Sequence, residues 1–146
     1  MRIGFFAATP FQVFNCINIY KNQYFNAEAD IFILTFAVDM NELIRELKRY
    51  NLFSNVYVLD RINVVPGKIG VLKDFLFTDL TNRQMLTANT YDIMYTTYIG
   101  DRNNLYYNIL LKKNENIKVF FYDEGIGIYT TGYYKSSKLM KMFYRL

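Results

Sequence analysis

Five short apolar segments, each followed by residues with helical spacing, constrain the fold of this 146-residue chain most strongly. We predict strands at 2–8, 29–36, 55–60, 91–98 and 117–122. The segments are apolar throughout, without alternating polar residues, which is typical of parallel strands covered by helices on both faces. The pattern therefore predicts a doubly wound α/β fold with a mainly parallel, Rossmann-like sheet, and the length fits a single domain.

The first two helices have recognisable start signals. Pro10 follows the first strand directly and suits the first turn of a helix, whose apolar face is formed by Val13, Cys16, Ile17 and Tyr20. Asp39 and Glu42 have the spacing of a capping box, which predicts a second helix that ends near Asn51.

The remaining helices are less clearly marked. Residues 61–90 are the hardest to interpret, and the spacing of their leucines and of Phe75 only hints at a helix that reaches Leu80. Asp101 is predicted to open a further helix with Leu105, Ile109 and Lys112 on one face, and with Tyr106 and Leu110 beside that face. A last helix is predicted from Ser136.

Charge and composition exclude several classes of function. The formal net charge is +4, but Lys135, Lys138, Lys141 and Arg145 lie together in the tail, so the rest is near neutral. The chain has no basic stripe of the kind that binds nucleic acid. It contains no histidine, which argues against a zinc site or a histidine-based triad, and its single cysteine excludes an internal disulfide.

The two ends of the sequence raise the question of membrane contact. Residues 1–20 are largely apolar, but Pro10, Gln12 and two asparagines interrupt them, which favours a strand and a helix over a signal peptide. The tail is a basic amphipathic segment, which either packs on protein or contacts an anionic membrane. We expect a cytoplasmic protein, with contact at the inner membrane face as the alternative.

Polar and small residues follow four of the predicted strands. Parallel α/β sheets bind ligands outside the carboxyl ends of their strands. The candidate binding residues at these ends are Thr9, Pro10, Gln12, Gly100, Asp101, Asn103, Glu124 and Gly125. Asp101 and Asn103 are interpreted either as a helix cap or as ligands of sugar hydroxyls.

Asp123 and Glu124 follow the fifth apolar strand and form the strongest candidate for catalysis. Desolvation at a strand end and a neighbouring acid both raise the pKa of a carboxylate toward the range of a general base. The alternative is a turn whose acids point into water. The glycines at 125 and 127 lack the third glycine and the lysine of phosphate-binding loops.

Two segments resemble bacterial sialyltransferases, nearest to the lipooligosaccharide and capsule enzymes of glycosyltransferase family 52. These segments are "ATPFQVFNCINI" after the first strand and "FFYDEGIGIY" at the fifth, which contains the acidic motif Asp123-Glu124-Gly125. The resemblance implies a metal-independent, inverting transfer of sialic acid from CMP-sialic acid to a sugar hydroxyl of a surface glycan. It also implies that Asp123 is the general base and that no cofactor is needed beyond the donor substrate.

The family has a GT-B architecture of two Rossmann-like domains, and this resemblance makes residues 1–146 the acceptor-side, N-terminal one. The family's His-Pro motif, which contacts the CMP phosphate from the nucleotide-sugar domain, has no counterpart here. We therefore expect the C-terminal domain to be absent and the isolated chain to transfer little. Alternatives are a GT-B enzyme with another nucleotide sugar, or a non-catalytic binding domain of the same fold. The acceptor, the linkage and the oligomeric state, including a homodimer, stay open.

Overall fold

The computed structural model of the chain describes residues 1–35, 39–59, 80–97, 103–114 and 116–122. The strands in these ranges are β1 (Arg2–Ala7), β2 (Glu28–Leu34), β3 (Asn55–Leu59), β4 (Ile93–Thr96) and β5 (Lys118–Phe121). The helices are α1 (Pro10–Gln23), α2 (Asn41–Tyr50), α3 (Leu80–Thr87) and α4 (Asn103–Lys113). Each of the five predicted strands is therefore confirmed, with shifts of one or two residues at most ends.

The five strands form one sheet in the order β3-β2-β1-β4-β5, and every neighbouring pair is parallel. β1 lies at the centre, with Ile3 opposite Ala29 of β2 on one side and Ile93 of β4 on the other. The chain winds outward from β1 to β3 and then crosses back to β4. This order confirms the predicted parallel α/β sheet and is consistent with a Rossmann-like fold.

Hydrophobic clusters cover both faces of the sheet. On one face Phe5 of β1 packs in a cluster with Val13 of α1 and Ile44 of α2. On the other face Phe6, the next residue of β1, packs in a cluster with Leu86 of α3 and with Leu110 of α4. Successive strand residues point to opposite faces, so a strand buried on both faces is apolar at nearly every position, as β4 is, and buried Asp30 of β2 is an exception.

The helix starts were predicted with mixed success. Thr9 is the N-cap of α1 and Pro10 its first residue, as expected. The predicted cap at Asp39 is wrong by one residue, because buried Met40 holds the N-cap position of α2 while Asp39 accepts a hydrogen bond from the Asn41 N–H. Asn51 ends α2 in the left-handed conformation, with a φ of 52°.

Four further predictions needed correction or lie outside the described residues. β4 is shorter than 91–98, because the Tyr91 N–H donates to the side chain of Asn114 and not to a neighbouring strand. Lys112 is exposed, whereas Tyr106 and Leu110, predicted beside it, are the buried residues among the α4 side chains that the structure describes. The helix predicted from Ser136 and the cap at Asp101 fall outside the described ranges.

Candidate functional site at the carboxyl edge of the sheet

The sheet has one topological switch point, between β1 and β4, where the order of strands reverses. In open α/β sheets the crevice at such a point, outside the carboxyl ends of the strands, is the usual place for a ligand. Ala8 and Thr9 follow β1 at this edge, and Thr97 follows β4. These residues therefore define the region in which a site is expected.

The turn from β1 into α1 is held by its own side chains. Thr9 Oγ1 accepts a hydrogen bond from the Gln12 N–H at 3.3 Å, which caps the helix. The Gln12 side chain folds back, and its Oε1 accepts from the Ala8 N–H at 2.6 Å. Gln12 is buried despite being polar. The turn is thus pre-organised, and its polar atoms are oriented before any ligand binds.

Tyr122 connects the end of β5 to the centre of the sheet. Its N–H donates to the Thr96 carbonyl oxygen at 3.0 Å, which continues the β4–β5 ladder by one residue. Its hydroxyl reaches past β4 and donates to the Phe6 carbonyl oxygen in β1. The side chain is buried, so this contact fixes the end of β5 relative to the end of β1.

Cys16, on the buried face of α1, contacts the same Tyr122 side chain. Its side chain is fully buried, and burial raises the pKa of the thiol to about 12, while a hydrogen bond with Tyr122 partly opposes that rise. A thiol with this pKa is almost entirely protonated at neutral pH and is a poor nucleophile. The predicted position of Cys16 on the apolar face of the first helix is therefore confirmed, and its burial favours a packing role over a catalytic one.

A small pocket opens at the switch point. The described residues that line it are Phe6, Ala7, Ala8, Gln12, Leu34, Thr96 and Thr97. All of them are uncharged. Thr96 and Thr97 are each 5 % exposed, so their hydroxyl groups are removed from bulk water. Thr96 Oγ1 donates to the Thr97 carbonyl oxygen at 3.3 Å.

The structure brings three of the predicted site residues to this edge, namely Thr9, Pro10 and Gln12. Asn103 is the first residue of α4. Gly100, Asp101, Asp123, Glu124 and Gly125 lie outside the described residues, and their roles stay predictions. The sequence analysis missed Thr96, Thr97 and Tyr122. Their signal was the polar "TT" that ends an apolar strand, and the tyrosine that directly precedes the acidic motif.

The opposite, amino-terminal edge of the sheet contains a second polar cluster. Asp30 in β2 is fully buried and accepts hydrogen bonds from Arg2 Nε at 3.1 Å, Asn55 at 2.9 Å, Asn89 at 3.0 Å and the Tyr91 hydroxyl at 2.8 Å. Burial and the bond to Asp30 raise the pKa of Tyr91, so the phenol stays protonated and remains a donor. Because the carboxylate has several donors and an ionic partner, the cluster serves to join three strands.

Within the described ranges no group of three or more cysteine or acidic side chains is arranged to hold a metal ion. In the same part of the chain, none of the helices combines the length and the apolar character needed to cross a bilayer.

Comparison with known proteins adds no family assignment. No protein-family model matches the chain. No curated protein matches its sequence.

Proposed function

We propose that this chain is the acceptor-side domain of a glycosyltransferase, one that transfers sialic acid from CMP-sialic acid to a sugar hydroxyl. In this proposal the parallel sheet is one of the two Rossmann-like domains of a GT-B enzyme. The support comes from the sequence resemblance in two segments and from the observed parallel sheet, which is consistent with a Rossmann-like domain.

One observation carries the proposal more than any other. The hydrogen bond from Tyr122 to Phe6 links one segment that resembles sialyltransferases to the strand that leads into the other. Phe6 comes shortly before "ATPFQ" at residues 8–12, and Tyr122 comes immediately before Asp123. Residues that precede the two motifs, more than 100 positions apart in sequence, are thus in contact, which supports a shared acceptor site.

The proposed chemistry needs a base next to the acceptor. As the acceptor oxygen forms its bond to the anomeric carbon of sialic acid, the bond from that carbon to the CMP phosphate breaks and CMP leaves. The acceptor hydroxyl loses its proton to the Asp123 carboxylate, because a neutral alcohol is a weak nucleophile. The phosphate that leaves would be stabilised by donors of the second domain.

Two exposed aromatic residues also support a second domain at this edge. Phe11 and Phe14 lie in the first turns of α1, which begins at this edge of the sheet, and are 56 % and 58 % exposed. Large apolar side chains that are this exposed and this close together are typical of surfaces that another body covers. In the proposal, the nucleotide-sugar domain covers them.

The test is a transfer assay with the full-length protein that contains these residues. The protein is incubated with CMP-sialic acid and a galactoside, and the product is identified by mass spectrometry. A galactoside that gains one sialic acid supports the proposal. Transfer from another nucleotide sugar alone would favour a different GT-B enzyme, and no transfer from any donor would favour a binding domain.

A further inference from the structure

The hydroxyl group of Thr97 is the unexplained polar group of the switch-point pocket. The residue is 5 % exposed and lines the pocket immediately after β4. Its carbonyl oxygen accepts from Thr96, but its hydroxyl forms no hydrogen bond within the part of the chain that the structure describes. A buried hydroxyl without a partner is costly, so such groups usually have a ligand or an ordered water as partner.

The two neighbouring threonines differ in their side-chain hydrogen bonds, which distinguishes a structural role for Thr96 from a binding role for Thr97. Thr96 is equally buried, but its Oγ1 donates to the Thr97 carbonyl oxygen and is satisfied inside the protein. Gln12 is satisfied in the same sense, because its Oε1 accepts from the Ala8 N–H. Among these three polar residues of the pocket, Thr97 is the one whose side chain forms no hydrogen bond with the described residues.

The chemistry of the pocket indicates what kind of ligand group Thr97 would contact. The described lining residues are all uncharged, so they offer no cation for a phosphate or a carboxylate. A threonine hydroxyl donates one hydrogen bond and accepts others, which complements another hydroxyl group. We propose that the Thr97 hydroxyl hydrogen-bonds a hydroxyl group of the bound sugar acceptor, an inference that rests on the proposed function and assigns part of its acceptor specificity.

The proposal is tested with three variants of the full-length protein. Thr97→Val keeps the shape of the side chain and removes the hydroxyl, Thr97→Ser keeps the hydroxyl, and Thr96→Val is the matched control at the satisfied neighbour. Because an unpartnered hydroxyl is removed, Thr97→Val should unfold at the same denaturant concentration as the wild type or at a higher one. Thr96→Val should unfold at a lower concentration, because a buried carbonyl loses its donor.

Binding is measured by titration with galactose, lactose, glucose and N-acetylglucosamine. Thr97→Val should weaken the binding of the preferred sugar by about threefold to tenfold, the range of one net hydrogen bond, while Thr97→Ser stays within about twofold of the wild type. In a transfer assay the same variant should raise KM for the sugar with kcat unchanged, since the contact is equal in ground and transition states.

The outcomes separate this proposal from the proposed function. Sugar binding that depends on Thr97, in a protein that transfers no sialic acid, would support the Thr97 assignment and remove the sialyltransferase proposal. Sialic acid transfer with an unchanged KM in Thr97→Val would support the sialyltransferase proposal and remove the Thr97 assignment. Wild-type protein that binds none of the four sugars, or a Thr97→Val variant that binds them equally well, overturns the assignment.

Discussion

The Tyr122 hydroxyl donates a hydrogen bond to the Phe6 carbonyl oxygen, and 116 residues separate the two in sequence. The bond joins the end of the last described strand to the central strand of the sheet. It also brings the residue that precedes Asp123 close to the strand that leads into Thr9 and Gln12. The buried phenol and the Tyr122 N–H bond to the Thr96 carbonyl oxygen together fix the end of β5.

Replacement of Tyr122 by phenylalanine should lower the free energy of unfolding by about 1–3 kcal/mol, because the buried Phe6 carbonyl and the Cys16 side chain both lose a partner. Chemical denaturation measures the change. Tyr50→Phe is the control, since Tyr50 is 66 % exposed, and it should stay within about 0.5 kcal/mol of the wild type. Equal stability of the two variants would mean that the Tyr122 hydroxyl contributes nothing to the fold.

Asp30→Asn should destabilise the protein by about 3–5 kcal/mol, because Arg2 and three further donors lose a fully buried anion. Glu28→Gln removes the other carboxylate that pairs with Arg2, at 3.2 Å, but that side chain is 69 % exposed. It should cost about 1 kcal/mol or less. Equal denaturant midpoints for the two variants would contradict the role assigned to the Asp30 cluster.

Much of this fold can be predicted from the sequence, because strands of a parallel sheet covered on both faces are largely apolar. Short, largely apolar segments identified β1 to β5, including β5, whose residues are mostly exposed, and the residues after β1 identified the Thr9–Gln12 turn. The Asp30 cluster could not be predicted in the same way. Asp30 accepts hydrogen bonds from Asn55, Asn89 and Tyr91, which are distant from it in sequence. The local sequence "ADIFIL" therefore does not indicate which donors surround the acid.

The site at the carboxyl edge was predicted in part for a similar reason. Gln12 could be placed there because it follows β1 directly, but its burial depends on the bond to the Ala8 N–H. Thr97 was missed because a threonine at the end of a strand is ordinary, and only the absence of a partner among the described residues distinguishes it. α3 was missed because its eight residues are mostly polar and carry no clear apolar stripe.

The Cys16 thiol should resist alkylation in the folded protein. It is fully buried, so the alkylating reagent cannot reach the sulfur, and burial raises its pKa to about 12, so almost no thiolate is present at pH 8. The labelling rate, followed by mass spectrometry, should rise only as denaturant unfolds the chain. Fast labelling at pH 8 without denaturant would show that α1 does not pack over Tyr122 as described.

The contribution of Tyr95 to the free energy of unfolding should be steady up to about pH 10 and should be lost between about pH 10 and 12. Burial and the hydrogen bond to Tyr24 raise the pKa of Tyr95 to about 12, whereas an unfolded tyrosine titrates near 10. Between these values the unfolded chain loses a proton that the folded chain keeps, so rising pH favours unfolding. The pH-dependence is measured by denaturation at each pH.

Tyr95→Phe provides the control for that prediction. The variant cannot ionise at position 95, so its stability should fall less steeply over the same pH range, even though it loses the bond to Tyr24 and is less stable at neutral pH. Parallel curves for the wild type and the variant would show that Tyr95 does not contribute to the alkaline transition.

The central claim, that a carboxylate at this edge accepts the proton of a sugar hydroxyl, is tested most directly by Asp123→Ala in the full-length protein. The measurement is kcat for transfer from CMP-sialic acid to a galactoside, with Glu28→Gln at the opposite edge as the control. The account predicts a kcat lower by about 10²–10⁴ for Asp123→Ala, with unchanged folding, and a control rate near that of the wild type. An Asp123→Ala variant that turns over at the wild-type rate would contradict it.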